Sequence, residues 1–219
     1  MPISEKFQAD FCESCVYHIY NRTSNKELLF LNDENHSFFL RKYDEYLSPY
    51  LETYAWCLLP NHFHLIVKVK PVPLVIDHLN SSDGKLSTTE QNFKKGLISL
   101  SELIEQSFKR FFQSYAQAFN KVNKRKGNLF YKPFKRRQIE TDNYFTQSII
   151  YTHANPVKHK LTKDFRTWKW SSWSTYMSKS ATKLRRDEVV EWFGSREEFI
   201  RQHLELSDYY YDSEISIED

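Results

Sequence analysis

Residues 51–70, LETYAWCLLPNHFHLIVKVK, read as two strands, 51–60 and 62–70, joined tightly at Pro60-Asn61. So short a link suits only strands that lie side by side and run antiparallel. In a strand, residues two apart share a face. The apolar Phe63, Leu65 and Val67 therefore point one way and call for burial, while His62 and His64 sit together on the other face. Two imidazoles side by side on a strand are the feature that any functional reading has to explain.

The rest of the chain completes a recognisable order. CVYHIYNRT (15–23) alternates and is rich in aromatics, as a first strand would be. NDENHSFFLRKYDEYL (32–47) carries Phe39, Tyr43, Tyr46 and Leu47 at helical spacing behind a polar start. Prolines and the run NSSDGKLSTTEQ make 71–95 a loop, expected to be mobile across about 78–95. Ser99-x-x-Glu102 is a capping box, and Leu100 to Val122 then form one apolar helical stripe closed at Gly127. NLFYKPFKRRQIE (128–140) reads as a fourth strand, with a bulge or edge at Pro133. Asp142 can cap a further helix that runs to about Asn155 and stops at Pro156. A tryptophan-rich segment, FRTWKWSSWSTY, and one or two short helices follow, the last capped by Ser195-x-x-Glu198. The predicted fold class is α+β: a ferredoxin-like β-α-β-β-α-β antiparallel sheet with an additional C-terminal helix and a short helical extension.

At 219 residues, 40% hydrophobic and 16% aromatic, the chain suits one globular domain. MPISEKFQAD is polar with no apolar run behind it, and no apolar stretch reaches the length of a membrane span. Three cysteines form no even disulfide set, so a cytoplasmic setting is expected. Cys12, Cys15 and His18 have a spacing that hints at zinc, but only Cys57 or a distant histidine is left as fourth ligand, so small residues at a strand start are the favoured reading. The net charge of +3 hides an asymmetry: Gln106 to Ile139 holds ten Lys/Arg and no acid, and Glu205 to Asp219 holds six acids and no Lys or Arg. The basic stretch, interleaved with aromatics, suits a polyanion whose bases can stack, although a solvated basic face explains the charge alone equally well. The candidate DNA contacts are Arg22, Lys109, Arg110, Lys124, Arg125, Lys126, Lys135, Arg136 and Arg137. The acidic tail reads as a solvating end.

An isolated His-x-His is more often structural than functional. The helix DNYFTQSIIYTHANP changes the balance, because Tyr151 and Asn155, four apart, lie one above the other on one face. Tyr144 shares that face, but Ser148 follows it at the matching position. A phenol and an amide docked over two imidazoles would gather two nitrogens and one oxygen around a cation beside a nucleophile, a set that suits Mg²⁺ or Mn²⁺.

The segments YHIYNRT, LLPNHFHLIV, GNLFYKPFKRR, YTHANPVKHKL and WKWSSWSTY stand in the order and spacing of the single-tyrosine HUH transposases, and most resemble the REP-associated tyrosine transposases. The resemblance runs from about Val16 to Tyr176. It implies a single HUH transposase domain over 1–219, with a core at about 15–176 and an extension at 177–219. It also implies that His62 and His64 bind a divalent metal, that Tyr151 is the nucleophile, and that Asn155 is a third ligand where many relatives have glutamine. The implied partner is single-stranded DNA with hairpin-forming repeats, acted on by a monomer rather than a homodimer.

On that reading a metal-bound phosphate is attacked by Tyr151, whose unperturbed pKa of about 10 calls for assistance at neutral pH. The resulting 5′-phosphotyrosine keeps the bond energy for rejoining, which agrees with the lack of any nucleotide-binding G-x-x-x-x-G-K-[ST] loop. Two rivals stand beside it: a metal-dependent phosphoesterase in which the histidines activate water, and a nucleic-acid-binding module that keeps the fold without cutting.

Overall fold

The alternation seen in the sequence becomes a four-stranded antiparallel sheet in the computed structural model, which describes residues 8–24, 27–82 and 84–212. Strand β1 (Val16–Arg22) leads into helix α1 (Asp33–Leu47), whose first turn is capped by the Asn32 side chain accepting from the Asn35 N–H. Strands β2 (Leu51–Leu59) and β3 (His62–Val69) form the hairpin. Helices α2 (Val72–Ser81), α3 (Thr88–Lys94) and α4 (Leu100–Val122) precede the short strand β4 (Lys135–Ile139). Helix α5 (Asp142–Lys158) is followed by α6 (Trp173–Met177), α7 (Arg186–Trp192) and α8 (Arg196–Asp212). The strand order β2-β3-β1-β4 is that of the expected ferredoxin-like sheet.

The two sheet faces have separate cores. Tyr17, Ile19, Phe63, Leu65 and Val67 project towards α1 and α4 and meet Phe39, Phe108, Phe111 and Tyr115 there. Ala55, Ile66 and Ile139 project the other way, where Ile149, Ile150 and Tyr151 of α5 pack on them. Helix α8 covers the outer side of α5. The tryptophan-rich segment protects the free edge of the sheet. Leu58 N–H donates to the Trp170 carbonyl at 2.8 Å, and Ser172 N–H to the Trp56 carbonyl at 2.9 Å, so the open backbone of β2 is paired.

Four expectations need correction. The segment expected as a loop carries α2 and α3; Val72-Pro73 opens α2, because proline in a first turn loses no hydrogen bond. Strand β4 is only Lys135–Ile139, and Phe130 contributes an isolated bridge to Thr23. The cap of α5 is Thr141, whose hydroxyl accepts from the Tyr144 N–H at 3.2 Å, and Asp142 is the first helical residue. Pro156 does not stop α5, which runs one turn further to Lys158. Ser99 and Glu102 form their capping box, and Ser195 accepts from the Glu198 N–H. Of the acidic tail, the part through Asp212 belongs to α8, and 213–219 lie outside the described residues.

Candidate active site

Strand register brings the site together from four elements. His62 of β3 pairs with Arg22 of β1, and His64 with Tyr20; on the other side of β1, Tyr20 pairs with Lys135 and His18 with Arg137. Residues directly opposite one another point to the same side. His18, Tyr20, Arg22, His62, His64, Lys135 and Arg137 therefore share the face on which α5 lies. His62 and His64 meet at 5.3 Å between ring centroids, edge to face.

Helix α5 sets Tyr151 against this face. Its ring lies 5.8 Å from that of His64 and 6.2 Å from that of His18, edge-on to both, and the residue is 1% exposed. The Lys158 ammonium, two turns on, donates to the Tyr151 hydroxyl at 3.3 Å and stands 4.8 Å from the ring centre. Asn155 is fully buried; its Nδ2 donates to the Tyr151 carbonyl at 3.1 Å. Only the nitrogen of an amide can make that bond, so Oδ1 is the remaining atom, and it has no hydrogen-bond partner among the described residues. Leaving a buried acceptor unsatisfied costs about 1–3 kcal/mol, and folded proteins rarely tolerate it without a ligand to relieve it. The exposed His159 caps the helix with its ring 4.6 Å from that of His62.

Both histidines of the pair are held through Nδ1. His62 Nδ1 lies 2.6 Å from Asn61 Oδ1, and His64 Nδ1 lies 2.9 Å from Nε2 of the buried His18. The donor set fits a divalent cation of the Mg²⁺ or Mn²⁺ class: two imidazoles and an amide oxygen with no donor of its own, with coordination positions left for phosphate oxygens. Among the described residues no three His, Cys, Asp or Glu side chains converge to hold a metal, and the Asn155 amide oxygen is a further donor one helical turn from Tyr151. Cys12, Cys15 and His18 form no such group among the described residues, and His18 Nε2 is turned to His64.

Tyr144 is separated from this cluster. Its ring lies 4.8 Å from the Arg137 guanidinium, and burial raises its pKa while Arg137 works against that rise.

The candidate DNA contacts fall into two groups. Arg22, Lys135 and Arg137 share the histidine face, Arg22 reaching the exposed Tyr131 ring at 5.5 Å and Lys135 the Tyr20 ring at 5.5 Å. Lys109, Lys124 and Lys126 are exposed on α4 and the turn after it. Arg110 is exposed with its guanidinium 5.3 Å from the Tyr46 ring. Arg125 is engaged with Glu27 and the carbonyls of Gly127 and Asn128. Arg136 points to the opposite face, 7% exposed, ion-paired with Glu105 and lying over Phe11 and Phe134.

The sequence reading missed His18, Tyr20, Lys158 and His159 as members of this cluster. Period-two alternation puts His18, Tyr20 and Arg22 on one face, but only the strand order shows that this face is shared with His62 and His64. Lys158 and His159 were hidden by reading Pro156 as the helix end. A surface cavity of about 990 Å³ lies elsewhere, where Asp44 pairs with Lys183 and Glu188 with Arg185.

No protein-family model and no curated protein matches the chain. Among solved structures it is similar to one described as "Structure of the REP associates tyrosine transposase bound to a REP hairpin", with a TM-score of 0.58 and 14% identity over 81% of this chain and 87% of that one. The likeness is one of fold, and on this chain's side that fold is the α+β architecture with its four-stranded antiparallel sheet.

Proposed function

We propose that the chain is a single-tyrosine transposase of the REP-associated type, cleaving and rejoining single-stranded DNA at hairpin-forming repeats through a 5′-phosphotyrosine at Tyr151. One observation carries this reading: the Tyr151 phenol lies against His64, with an ammonium on its oxygen and an unsatisfied amide oxygen one helical turn away. The fold shared with a transposase solved on a REP hairpin supports it. Two histidines, a phenol and a buried amide in one cluster serve strand transfer better than plain hydrolysis, for which no water-activating carboxylate joins the cluster among the described residues.

His62, His64 and Asn155 would hold Mg²⁺ or Mn²⁺, which supplies Lewis-acid polarisation of the scissile phosphate. The chain's own groups do the rest. Tyr151 oxygen forms a bond to phosphorus as the bond from phosphorus to the 3′ oxygen breaks. The phenol loses one proton and the departing 3′ oxygen gains one, so no net proton is consumed. Lys158 stabilises negative charge on the phenol oxygen before attack. Because Tyr151 is buried beneath Lys158, the flexible four-carbon stem must swing aside as the phosphate arrives. Lys135 and Arg137 on the same face bind backbone phosphates, and Tyr131 with Arg22 offers a stacking surface. Reversal by a second 3′-hydroxyl rejoins strands without a nucleotide cofactor.

No helix among the described residues is long and apolar enough to cross a membrane. Action as a monomer in the cytoplasm belongs to the same reading, and Tyr151 already faces the histidines of its own chain.

The test is to incubate the chain with a hairpin oligonucleotide carrying a single-stranded flank, with Mg²⁺, Mn²⁺ or a chelator. A metal-dependent covalent adduct whose DNA-bearing peptide contains Tyr151 is expected. Hydrolysis with no adduct at any time would favour the phosphoesterase, and binding without cutting the non-catalytic module.

A further inference from the structure

We infer that His18 is a positioning residue for the metal pair, holding the His64 ring and its tautomer so that His64 Nε2 can bind the cation. The inference rests on the reading of His62 and His64 as metal ligands. His18 Nε2 and His64 Nδ1 are 2.9 Å apart, and both residues are fully buried. A hydrogen bond between two neutral imidazoles needs a proton on one nitrogen and a lone pair on the other. If His64 carries its proton on Nδ1 and donates to His18, its Nε2 lone pair is available. If His18 donates instead, the His64 proton moves to Nε2 and that nitrogen is blocked. Only the first arrangement is competent.

The neighbouring rings fix His18 for this task. Tyr20, two residues along β1, stacks on His18 at 4.9 Å and 30° and on His64 at 5.8 Å and 22°. The three rings are thus held nearly parallel on one face by the β1–β3 register. His62 has an equivalent support: Asn61 Oδ1, which can only accept, fixes the proton of His62 on Nδ1. Each metal histidine is therefore steadied through Nδ1, one from the hairpin turn and the other from β1. Such partners orient a ligand and raise its basicity, and losing one typically costs 10–100-fold in metal affinity.

The rival role for His18 is direct ligation. Two nitrogens about 2.1 Å from one ion at adjacent positions lie about 3 Å apart, so the His18–His64 spacing alone does not separate the two roles. The experiment therefore counts nitrogens. Mn²⁺ alone is titrated into the full chain and into the variants His18→Leu, His18→Gln and His64→Ala, following bound metal by electron paramagnetic resonance and directly bound nitrogens by electron spin-echo modulation. Hairpin binding in chelator and thermal melting report folding.

The expected wild-type count is two. His18→Leu fills the space without an acceptor and should weaken Mn²⁺ 10–100-fold while the count stays at two. His18→Gln, whose carboxamide oxygen reaches near the Nε2 position, should return affinity to within about threefold. If His18→Leu does not fold, His18→Gln still decides: wild-type-like affinity with two nitrogens supports positioning. Wild-type affinity in a folded His18→Leu, or three nitrogens in the wild type with one lost in His18→Gln, would overturn it. Unchanged Mn²⁺ binding in His64→Ala would instead remove the metal-pair reading on which the inference stands.

Discussion

The Lys158 ammonium lies 3.3 Å from the Tyr151 hydroxyl, on the turn of α5 that continues past Pro156. A proline inside a helix costs about 3 kcal/mol and forfeits one backbone hydrogen bond. Here the extra turn delivers Lys158 to the Tyr151 hydroxyl and His159 to the His62 ring.

Lys158→Met keeps the apolar stem and removes the charge. It should slow adduct formation about 100- to 1,000-fold, in the range seen when one charge-stabilising donor is lost from an active site. Affinity for the hairpin should change by less than about threefold. Single-turnover rates at saturating protein separate the two; an unchanged rate would leave Lys158 as packing only.

Asn155→Leu tests whether the amide is kept for its ligand. Removing an unsatisfied buried oxygen relieves a cost of about 1–3 kcal/mol, partly offset by loss of the Nδ2 bond to the Tyr151 carbonyl. In metal-free buffer the variant should melt at or above the wild-type temperature, while its Mn²⁺ affinity falls. Strong destabilisation without metal would show that Asn155 is a structural residue.

Lys135, Arg136 and Arg137 are consecutive in sequence but face two ways. Replacing Lys135 and Arg137 with glutamine should lower the slope of log affinity against log salt on single-stranded DNA by about 1.4 in total, about 0.7 per lost phosphate contact. Arg136→Ala should spare that slope and cost about 1–3 kcal/mol of stability, because it uncovers Phe11 and Phe134 and removes the partner of the half-exposed Glu105. The reverse pattern would invalidate the assignment of faces.

This cluster also shows how far the sequence could be read. Basic composition marks 135–137 as one patch, whereas the pleat sends Arg136 to the α4 side. The element order β-α-β-β-α-β, the capping box of α4 and the placing of Tyr151 and Asn155 one turn apart on one helix face follow from local spacing, and these were legible. His18 reaches His64 through register between distant strands, which local spacing does not encode. Helices α2 and α3 were masked because their prolines and the NSSDG run resemble loop chemistry, although Pro73 sits where a first turn accepts it. Lys158 and His159 were lost to a breaker rule that the packed helix overrides.

Behind α5 a second pair of histidines ties the tyrosine helix to α8. His203 Nδ1–H donates to the Phe199 carbonyl at 2.7 Å, so His203 Nε2 accepts from His153 Nδ1–H at 2.9 Å. Ser172 then donates to His153 Nε2 at 2.8 Å and accepts from the Trp56 N–H at 3.0 Å. The aromatic rings of Phe165, Trp173, Phe193 and Phe199 surround His203, and His153 is the titratable group against it. Burial pushes the His203 pKa down to about 3 and that of His153 well below its ordinary value.

Between an unfolded value of about 6.5 and the folded value, the unfolded chain binds a proton that the folded chain does not. Stability therefore falls as pH drops from about 6.5 towards 3, by up to about 1.4 kcal/mol per pH unit for each histidine. His203→Gln should make this slope shallower by about one histidine's share in urea melts from pH 7 to 5. Parallel slopes would show that His203 does not stay neutral.

The central claim is that Tyr151, held beside His64, is the nucleophile. Tyr144 and Tyr151 are seven residues apart on α5, about 10 Å along the axis, and only Tyr151 contacts the histidines. The decisive measurement compares Tyr151→Phe and Tyr144→Phe with a labelled hairpin and Mn²⁺ on a denaturing gel, with binding measured in parallel. Tyr151→Phe should bind as wild type and give no covalent adduct, and Tyr144→Phe should still give it. An adduct from Tyr151→Phe would contradict the account.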